Sequence, residues 1–183
     1  VGRTGELPTP YASVIPHYVK AFPEYLRAAG YYCTNNAKTD YQFSGFGDVP
    51  VTIWDESSGR AHFKNRKNKD QPFFAVFNYT LTHESKTWSA PVATDPDNVV
   101  VPPYYPDTEP VRKSLARSYD NIRSLDTIVG RHIQELKDLG LAENTVIFFW
   151  SDHGDGLPRG QRWVYDSGTK VPFIVRWPGV IEA

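Results

Sequence analysis

Two apolar segments of this chain run directly into polar residues that can carry chemistry. Residues 73–79 read FFAVFNY and lead into TLTHE, and residues 145–150 read TVIFFW and lead into SDHG. Continuous apolar runs of this length are typical of strands that are buried on both faces of a parallel sheet. Because ligands bind beyond the carboxyl ends of such strands, both polar segments are candidate parts of a functional site.

The rest of the pattern predicts an α/β fold. Apolar residues recur at helical spacing across 111–139, and Gly140 follows as a helix stop. Short apolar runs at 31–34 and 171–175 predict two further strands. We therefore expect a mixed, largely parallel sheet flanked by helices, with all four predicted strands in one sheet. The proline-rich segment 90–110 is predicted to be a long irregular loop, and such loops often carry function.

Composition excludes few functions. The chain has 183 residues and a formal net charge of -1, so charge offers no reason to expect nucleic acid or a membrane surface as a partner. Its one cysteine, Cys33, cannot form an internal disulfide and is expected to be buried and inert within an apolar strand. Both chain ends are expected to be cut out of a longer protein, because neither carries a recognisable start or stop.

Asp152 and His153 are the sharpest candidates for metal ligands. A carboxylate and an imidazole stand side by side at a strand end, and Gly154 permits a tight turn after them. Carboxylate oxygens favour hard cations such as calcium, whereas imidazole favours zinc, manganese or iron. The other interpretation, a solvated turn in which Asp152 caps the next segment, fits so short a string equally well.

Several other residues could handle an anion. His83 follows one predicted strand and Lys38 follows another, so each could contact an anionic substrate. The segment PRGQR at 158–162 is a basic loop that could bring a cation to a sulfate or phosphate oxygen. For Lys38 and the 158–162 loop the alternative interpretation is ordinary surface solvation, and for His83 it is a loop histidine whose ring is satisfied by the backbone.

At these residues the chain resembles the sulfatases of the alkaline-phosphatase-like superfamily over essentially its whole length. The resembling segments occur in chain order: GYYCTNNAKTDY at 30–41, FFAVFN through THES between 73 and 85, GLAENT at 140–145, SDHG at 151–154 and YDSGTKVP at 165–172. The segment with His83 is similar to that of heparan-sulfatase-like bacterial members. The resemblance implies that residues 1–183 form the central part of a catalytic domain that is incomplete at both ends, with the nucleophile segment and the C-terminal subdomain outside it.

The resemblance also implies roles for individual residues. Sulfatases hydrolyse sulfate esters or sulfamates with a formylglycine made from a Cys or Ser near the N-terminus. They use a divalent cation, usually calcium, which two early aspartates and a later Asp with Asn or His hold. By this resemblance Asp152 and His153 would be the later metal ligands. Lys38 would contact the sulfate and the nucleophile, and His83 would contact the sulfate or assist departure of the leaving group.

The chain departs from the family pattern in three places. Cys33 lies outside any Cys-x-Pro-x-Arg sequence, so it is not the nucleophile, and the early aspartate pair is absent. Ala37 precedes Lys38 where relatives usually have Gly. Gln161 holds the place of an expected Lys or Arg, so either Arg159 or Arg162 would supply the sulfate-binding cation or that contact would be weakened.

The resemblance predicts a periplasmic or secreted sulfatase that acts on a sulfated carbohydrate, with no nucleic-acid or membrane partner. One alternative is a phosphodiesterase or phosphonate hydrolase of the same superfamily, which can share the Asp-His-Gly string. Another is an inactive fragment or a binding relative. The isolated 183-residue chain is expected to be inactive, because the nucleophile would lie outside it.

Overall fold

The computed structural model of the protein describes residues 16, 18–39 and 52–182. Residues 40 and 41 of the first family-like segment lie outside this part of the chain. The chain divides into two compact units, Val1–Asn78 and Tyr79–Ala183, which we call the first and second unit. Each unit contributes its own sheet and its own candidate residues.

The first unit is built on a parallel sheet. The helix and strands in its described part are α1 Phe22–Ala28, β1 Tyr32–Asn36, β2 Glu56–Ser57 and β3 Phe73–Phe77. The strand order is β2-β1-β3, and β1 pairs in parallel with both neighbours. Parallel pairing brings the carboxyl ends of the three strands to one edge of the sheet, which is where Lys38 follows β1.

Buried polar side chains make up part of the core of the first unit. Cys33, Thr34 and Asn35 on β1 are almost completely buried. Arg66 is also buried, although residues 60–71 have a strongly polar sequence that indicates a solvated segment. Its guanidinium donates to the backbone oxygens of Phe63 and Lys69, each at 2.7 Å. These bonds compensate part of the loss of water around the buried charge, while Nε is buried without a hydrogen-bond partner among the described residues.

The second unit joins helices to an antiparallel strand pair. Its elements are α2 Glu84–Ser89, α3 Glu109–Asp138, β4 Ile147–Trp150, α4 Asp166–Thr169 and β5 Phe173–Arg176. Strands β4 and β5 pair antiparallel, with Phe148 opposite Val175. None of the helices in the described part of the chain is long and apolar enough to cross a membrane.

The predicted α/β class is confirmed, because a parallel sheet with flanking helices is present. The prediction that all four strands belong to one sheet is wrong: β1 and β3 lie in one sheet, and β4 and β5 in another. An apolar run indicates a strand but does not specify its partner. The segment between β4 and β5 contains only the short helix α4 rather than a long crossover helix, and β5 returns antiparallel to β4.

The predicted elements are found, with shifted ends. The strand predicted at 31–34 extends to Asn36, and the run at 73–79 pairs only as far as Phe77. The later two strands begin at Ile147 and Phe173, two residues after their predicted starts. The long helix runs Glu109–Asp138, and Gly140 has a φ of 68° that ends it as predicted.

The side of α3 near its start holds the irregular segment 90–110 in place. Asp120 accepts bonds from the Thr94 hydroxyl and from the N–H groups of Ala93 and Thr94. These hydrogen bonds hold the pKa of Asp120 below its usual value, and the bond from the Thr94 hydroxyl has the largest effect. Leu115 packs in the same region with Val99 and with Leu157 from the loop after β4. The long helix thus anchors both loops of the second unit.

We predict that the Cys33 thiol is protected from alkylation. Burial, followed by the charge of Asp55, raises its pKa from 9.0 to about 11. Because the folded state favours the neutral thiol, this contribution to stability is present below pH 9.0 and is lost as pH rises through about 11. Near pH 8 the thiolate fraction should be about 100-fold smaller than in the unfolded chain. Mass spectrometry after iodoacetamide treatment, with and without denaturant, measures the difference, and equal rates in both states would contradict it.

Candidate functional site

Lys38 lies at the carboxyl edge of the parallel sheet in the first unit. The buried Asn35 side chain donates to the Lys38 backbone oxygen at 2.9 Å and to Ser57 Oγ at 3.1 Å. It accepts a bond from Asn78 Nδ2 at 2.8 Å. These partners end or follow all three parallel strands, and they satisfy both amide hydrogens and the oxygen of Asn35. The backbone of Lys38 is therefore held in place, and the residue is exposed to solvent.

His83 occupies the position before the first residue of α2, and its ring caps that helix. The Nδ1 atom accepts a hydrogen bond from the Ser85 N–H at 3.2 Å, and Ser85 Oγ lies 3.0 Å away. A backbone N–H can only donate, so Nδ1 must carry the lone pair. In the neutral ring the proton is then on Nε2. His83 consequently presents an N–H donor away from the helix, which is the form that contacts an anion.

Asp152 and His153 follow β4 in a tight turn. Ser151 Oγ donates to the backbone oxygen of His153 at 2.6 Å, which closes the turn. His153 Nδ1 lies 2.7 Å from the Gly154 oxygen. A carbonyl can only accept, so Nδ1 carries the hydrogen and Nε2 has the lone pair when the ring is neutral. Nε2 lies 3.5 Å from Asp152 Oδ2, and the two side chains are 35% and 64% exposed.

The segment after His153 folds back on itself at glycines. The Gly154 N–H donates to the Gly168 oxygen at 3.0 Å, and the Gln161 N–H donates to the Asp155 oxygen at 2.7 Å. A Cβ at position 154 would lie 1.8 Å from the Ser167 backbone oxygen, and one at 160 would lie 2.3 Å from the Asp155 oxygen. Only residues without a side chain permit these approaches. The loop 151–168 is therefore a closely packed structure in which its polar groups have defined positions.

The same loop contacts the His83 segment. A Cβ at Gly156 would lie 2.3 Å from Glu84 Cβ, so the two backbones meet at this point. Arg162 forms a two-armed ion pair with Glu84, with N–O distances of 2.9 and 3.2 Å. This pair connects residues that are distant in sequence. It places the cap of α2, with His83, beside the loop that begins with Asp152.

Asp155 is the perturbed carboxyl group of the loop. Asp155 is an exposed residue overall, but partial burial of its carboxyl group raises its pKa. Oδ1 accepts the Leu157 N–H at 3.1 Å, which opposes the effect of burial. The Tyr105 hydroxyl approaches the same carboxyl outside full hydrogen-bond geometry, and burial raises the pKa of Tyr105 as well. Asp155 thus has a structural role in the turn and lies close to the candidate ligands.

Arg159, Gln161 and Arg162 differ in what surrounds their side chains. Arg162 is paired with Glu84, as described above. Arg159 lies against the ring of Tyr165, with its guanidinium carbon 4.1 Å from the ring centre. Gln161 Oε1 is buried and has no hydrogen-bond partner among the described residues. Of the two arginines, Arg159 is therefore the one that forms no ion pair with a described carboxylate.

Sequence reasoning identified the loop but missed contacts within it. The second unit holds His83, Asp152, His153, Arg159, Gln161 and Arg162, while Lys38 belongs to the first unit. Glu84 was missed as the partner of Arg162, although it directly follows His83. Tyr104 and Tyr165, which flank Arg159, were missed because nothing in a single sequence pairs them. The catalytic and ligand roles assigned to these residues stay predictions.

The sulfatase family model matches residues 3–183, which is nearly the whole chain. The chain belongs to the sulfatase family.

Curated sulfatases from distant organisms share parts of this sequence. An ulvan-active sulfatase from Formosa agariphila is 43% identical over 94% of the chain, which corresponds to 35% of that protein. Human N-sulphoglucosamine sulphohydrolase is 38% identical over 51% of the chain and 20% of its own length. An extracellular sulfatase homologue from Drosophila melanogaster is 32% identical over 57% of the chain and 10% of its own length. The chain thus spans about a third or less of these relatives.

We predict that the contact between Gly156 and Glu84 cannot tolerate a methyl group. In Gly156→Ala the new Cβ would lie 2.7 Å from the Glu84 Cα, so backbone would have to move. We expect the free energy of unfolding to fall by about 1–3 kcal/mol. Gly130→Ala is the matched control, because position 130 lies within α3 and has nothing within 4 Å. This control should gain roughly 0.5–1 kcal/mol. Urea unfolding of the intact protein measures both changes, and a neutral Gly156→Ala would contradict the contact.

Proposed function

We propose that the whole protein is a sulfatase that hydrolyses sulfate esters or sulfamates of sulfated carbohydrates. The observation that carries the proposal is the opposite hydrogen bonding of two histidines in the second unit. His153 keeps a lone pair on Nε2 beside the Asp152 carboxylate, which suits a cation. His83 keeps a proton on Nε2, which suits an oxyanion or a leaving group. Sulfate hydrolysis needs both, and membership of the sulfatase family agrees with this reaction.

Asp152 and His153 are suited to hold a divalent cation. Two ligand atoms that lie about 2.0–2.6 Å from one ion are typically about 3–4 Å apart. The 3.5 Å separation of Asp152 Oδ2 and His153 Nε2 falls within that range. The bond from His153 Nδ1 to the Gly154 oxygen is the kind of outer contact that orients a ligating imidazole. Calcium is the cation that we propose, and when bound it would neutralise charge on the sulfate oxygens.

His83 is proposed to donate a hydrogen bond or a proton from Nε2. Its Nδ1 is engaged by the backbone of Ser85, so the ring orientation does not depend on the substrate. Donation to the sulfate would stabilise the charge that shifts onto its oxygens in the transition state. Donation to the bridging oxygen would instead assist the leaving group. The Glu84–Arg162 pair supports this role by holding the start of α2 against the loop.

Cationic side chains are proposed to bind the anionic groups of the substrate. Lys38 is the expected contact to the sulfate and the nucleophile, and its backbone is held by the buried Asn35. By the family resemblance Gln161 takes the place of an expected cation, and Arg162 is paired with Glu84, so we assign to Arg159 a contact with an anionic group of the substrate. The nucleophile is proposed to be a formylglycine that this chain does not contain. Cys33 is not its precursor in this proposal, because Cys33 lies outside any Cys-x-Pro-x-Arg sequence.

Carbohydrate substrates are proposed because of the relatives. Two of them carry the names of ulvan and of N-sulphoglucosamine, and a third is named extracellular. A periplasmic or secreted location is proposed on the same basis. Sulfated polysaccharides are therefore the first substrates to test.

An assay with paired substrates tests the proposed reaction. We expect the intact protein to hydrolyse a fluorogenic aryl sulfate in the presence of calcium and to act poorly on the matching aryl phosphodiester. The 183-residue chain expressed alone should show no turnover, because its residues hold and polarise an anion but none performs the attack. Preference for the phosphodiester would favour the alternative hydrolase of the same superfamily. Multiple turnover by the isolated chain would contradict the external nucleophile.

Replacement of the proposed metal ligands should have unequal effects. Asp152→Asn removes the anionic ligand and keeps its shape, so bound calcium and turnover should both fall at least tenfold. His153→Asn should be milder, because an amide oxygen can also ligate calcium. Asp126→Asn on α3 is the control and should resemble the unmodified protein. Metal content by mass spectrometry and turnover of the aryl sulfate report the outcome. Unchanged metal content in Asp152→Asn would contradict the assignment of Asp152 as a metal ligand.

A further inference from the structure

An open cavity of about 400 Å³ lies in the second unit between the proline-rich loop and the loop after β4. Its lining residues are Tyr104, Arg159, Val164, Tyr165, Asp166 and Ser167. Cavities that bind small molecules commonly measure about 300–1,000 Å³. The volume is therefore sufficient for one small ligand, and the chemistry of its wall decides which one.

Arg159 is the only cation among the lining residues, and its guanidinium lies close to two aromatic rings. Its guanidinium carbon lies 4.1 Å from the ring centre of Tyr165 and 5.4 Å from that of Tyr104. Among the described residues this guanidinium has no ion pair and no hydrogen bond. Stacking on aromatic rings leaves the N–H groups in the guanidinium plane available to a ligand. Arg162, three residues later, differs because Glu84 occupies its guanidinium.

The backbone of Arg159 is fixed in a conformation that is uncommon for a side-chain-bearing residue. Its φ is 71°, in the left-handed region. Ser167 Oγ donates to the Arg159 oxygen at 2.6 Å, and the next residue, Gly160, donates to Leu157 at 3.0 Å. Such conformations persist where the surroundings enforce them, and they concentrate at ligand sites. The arginine is thus positioned before any ligand arrives.

The wall also contains groups that a bare anion does not need. Tyr104 and Tyr165 are 44% and 46% exposed, and Val164 is 94% exposed, so apolar area is open to a ligand. Aromatic and aliphatic surfaces of this kind pack against the C–H faces of sugar rings. Asp166 supplies a carboxylate that can accept hydrogen bonds from hydroxyl groups. A polyhydroxylated ring with one oxyanion satisfies all of these groups, whereas inorganic sulfate satisfies only the arginine.

We propose that this cavity binds one acidic sugar unit of the substrate, with Arg159 on its oxyanion and Tyr104 and Tyr165 beside the ring. The proposal rests on the proposed function in one respect, which is that the substrate is a charged carbohydrate. A uronate carboxylate and a sugar sulfate present the same chemistry to a guanidinium. The experiment therefore includes one probe for each source.

Calorimetric titration of the intact protein tests the cavity. The first probe is a sulfate-free disaccharide with one uronic acid, and its matched control is the same disaccharide with the carboxyl reduced to an alcohol. The second probe is a monosaccharide sulfate without a carboxylate, compared with the unsulfated sugar. We expect at least one acidic probe to bind at least tenfold more tightly than its neutral partner. Inorganic sulfate should compete with it only weakly.

Variants then locate the binding. Arg159→Ala should abolish the preference for the acidic probe, and Arg159→Lys should keep part of it, because the charge remains but the stacking is lost. Tyr165→Ala should lower the affinity for the same acidic probe several-fold. Arg131→Ala on α3 is the matched control and should bind like the unmodified protein. Unfolding temperatures confirm that each variant is folded, and Arg159→Lys tests the proposal if Arg159→Ala does not fold.

The outcomes separate this proposal from the proposed function. Equal binding of the acidic and neutral members in both pairs, or binding unaffected by Arg159→Lys and Arg159→Ala, would overturn the cavity assignment. Full competition by inorganic sulfate would also overturn it, because the site would then recognise an anion only. Hydrolysis of an aryl sulfate without probe binding would contradict the cavity alone. Probe binding that depends on Arg159, without any hydrolysis, would support the cavity and contradict the sulfatase assignment.

Discussion

Close backbone packing at glycines is the constraint on which the arrangement of the second unit depends. At Gly154 and Gly160 the neighbouring backbone lies where a side chain would begin, and at Gly156 the neighbour is Glu84 of another segment. These contacts fold the loop against itself and against the start of α2. Leu157 adds an apolar anchor beside α3. A loop held at so many points can keep Asp152 and His153 in one geometry although few of its residues belong to regular structure.

In the first unit, a buried polar side chain holds a candidate substrate contact in place. Asn35 is almost fully buried, and burial of an amide without partners would be costly. Its three hydrogen bonds tie Lys38 and Ser57 to Asn78, at the edge where the parallel strands end. An apolar side chain at this position would fill the same space but would not hold the backbone of Lys38. The position of a candidate substrate contact is therefore part of the same network that stabilises the sheet.

The sequence allowed the elements to be predicted better than their partners. Apolar runs marked the strands and Gly140 marked the end of α3, because local periodicity and backbone freedom act within a few residues. The single sheet was wrong because strand pairing depends on contacts between distant segments. The burial of Arg66 and the pairing of Glu84 with Arg162 were missed for the same reason. Asp152, His153 and His83 could be chosen from their places after strands, but their opposite hydrogen bonding required the positions of Gly154 and Ser85.

The two arginines of the loop show how similar residues acquire different tasks. Both have left-handed backbones, with φ of 71° at Arg159 and 74° at Arg162, so neither conformation arises from the preference of the side chain. Arg162 forms an ion pair with Glu84 within the protein. Exposed pairs of this kind contribute little to the free energy of unfolding, about 0–1 kcal/mol. The main effect of that pair is therefore to hold the start of α2 next to the loop after β4. Arg159 contacts aromatic rings and forms no ion pair with a described carboxylate, so it is oriented without being paired. A charge that is oriented but not paired is what a site for an external anion requires, and only Arg159 of the two meets that condition.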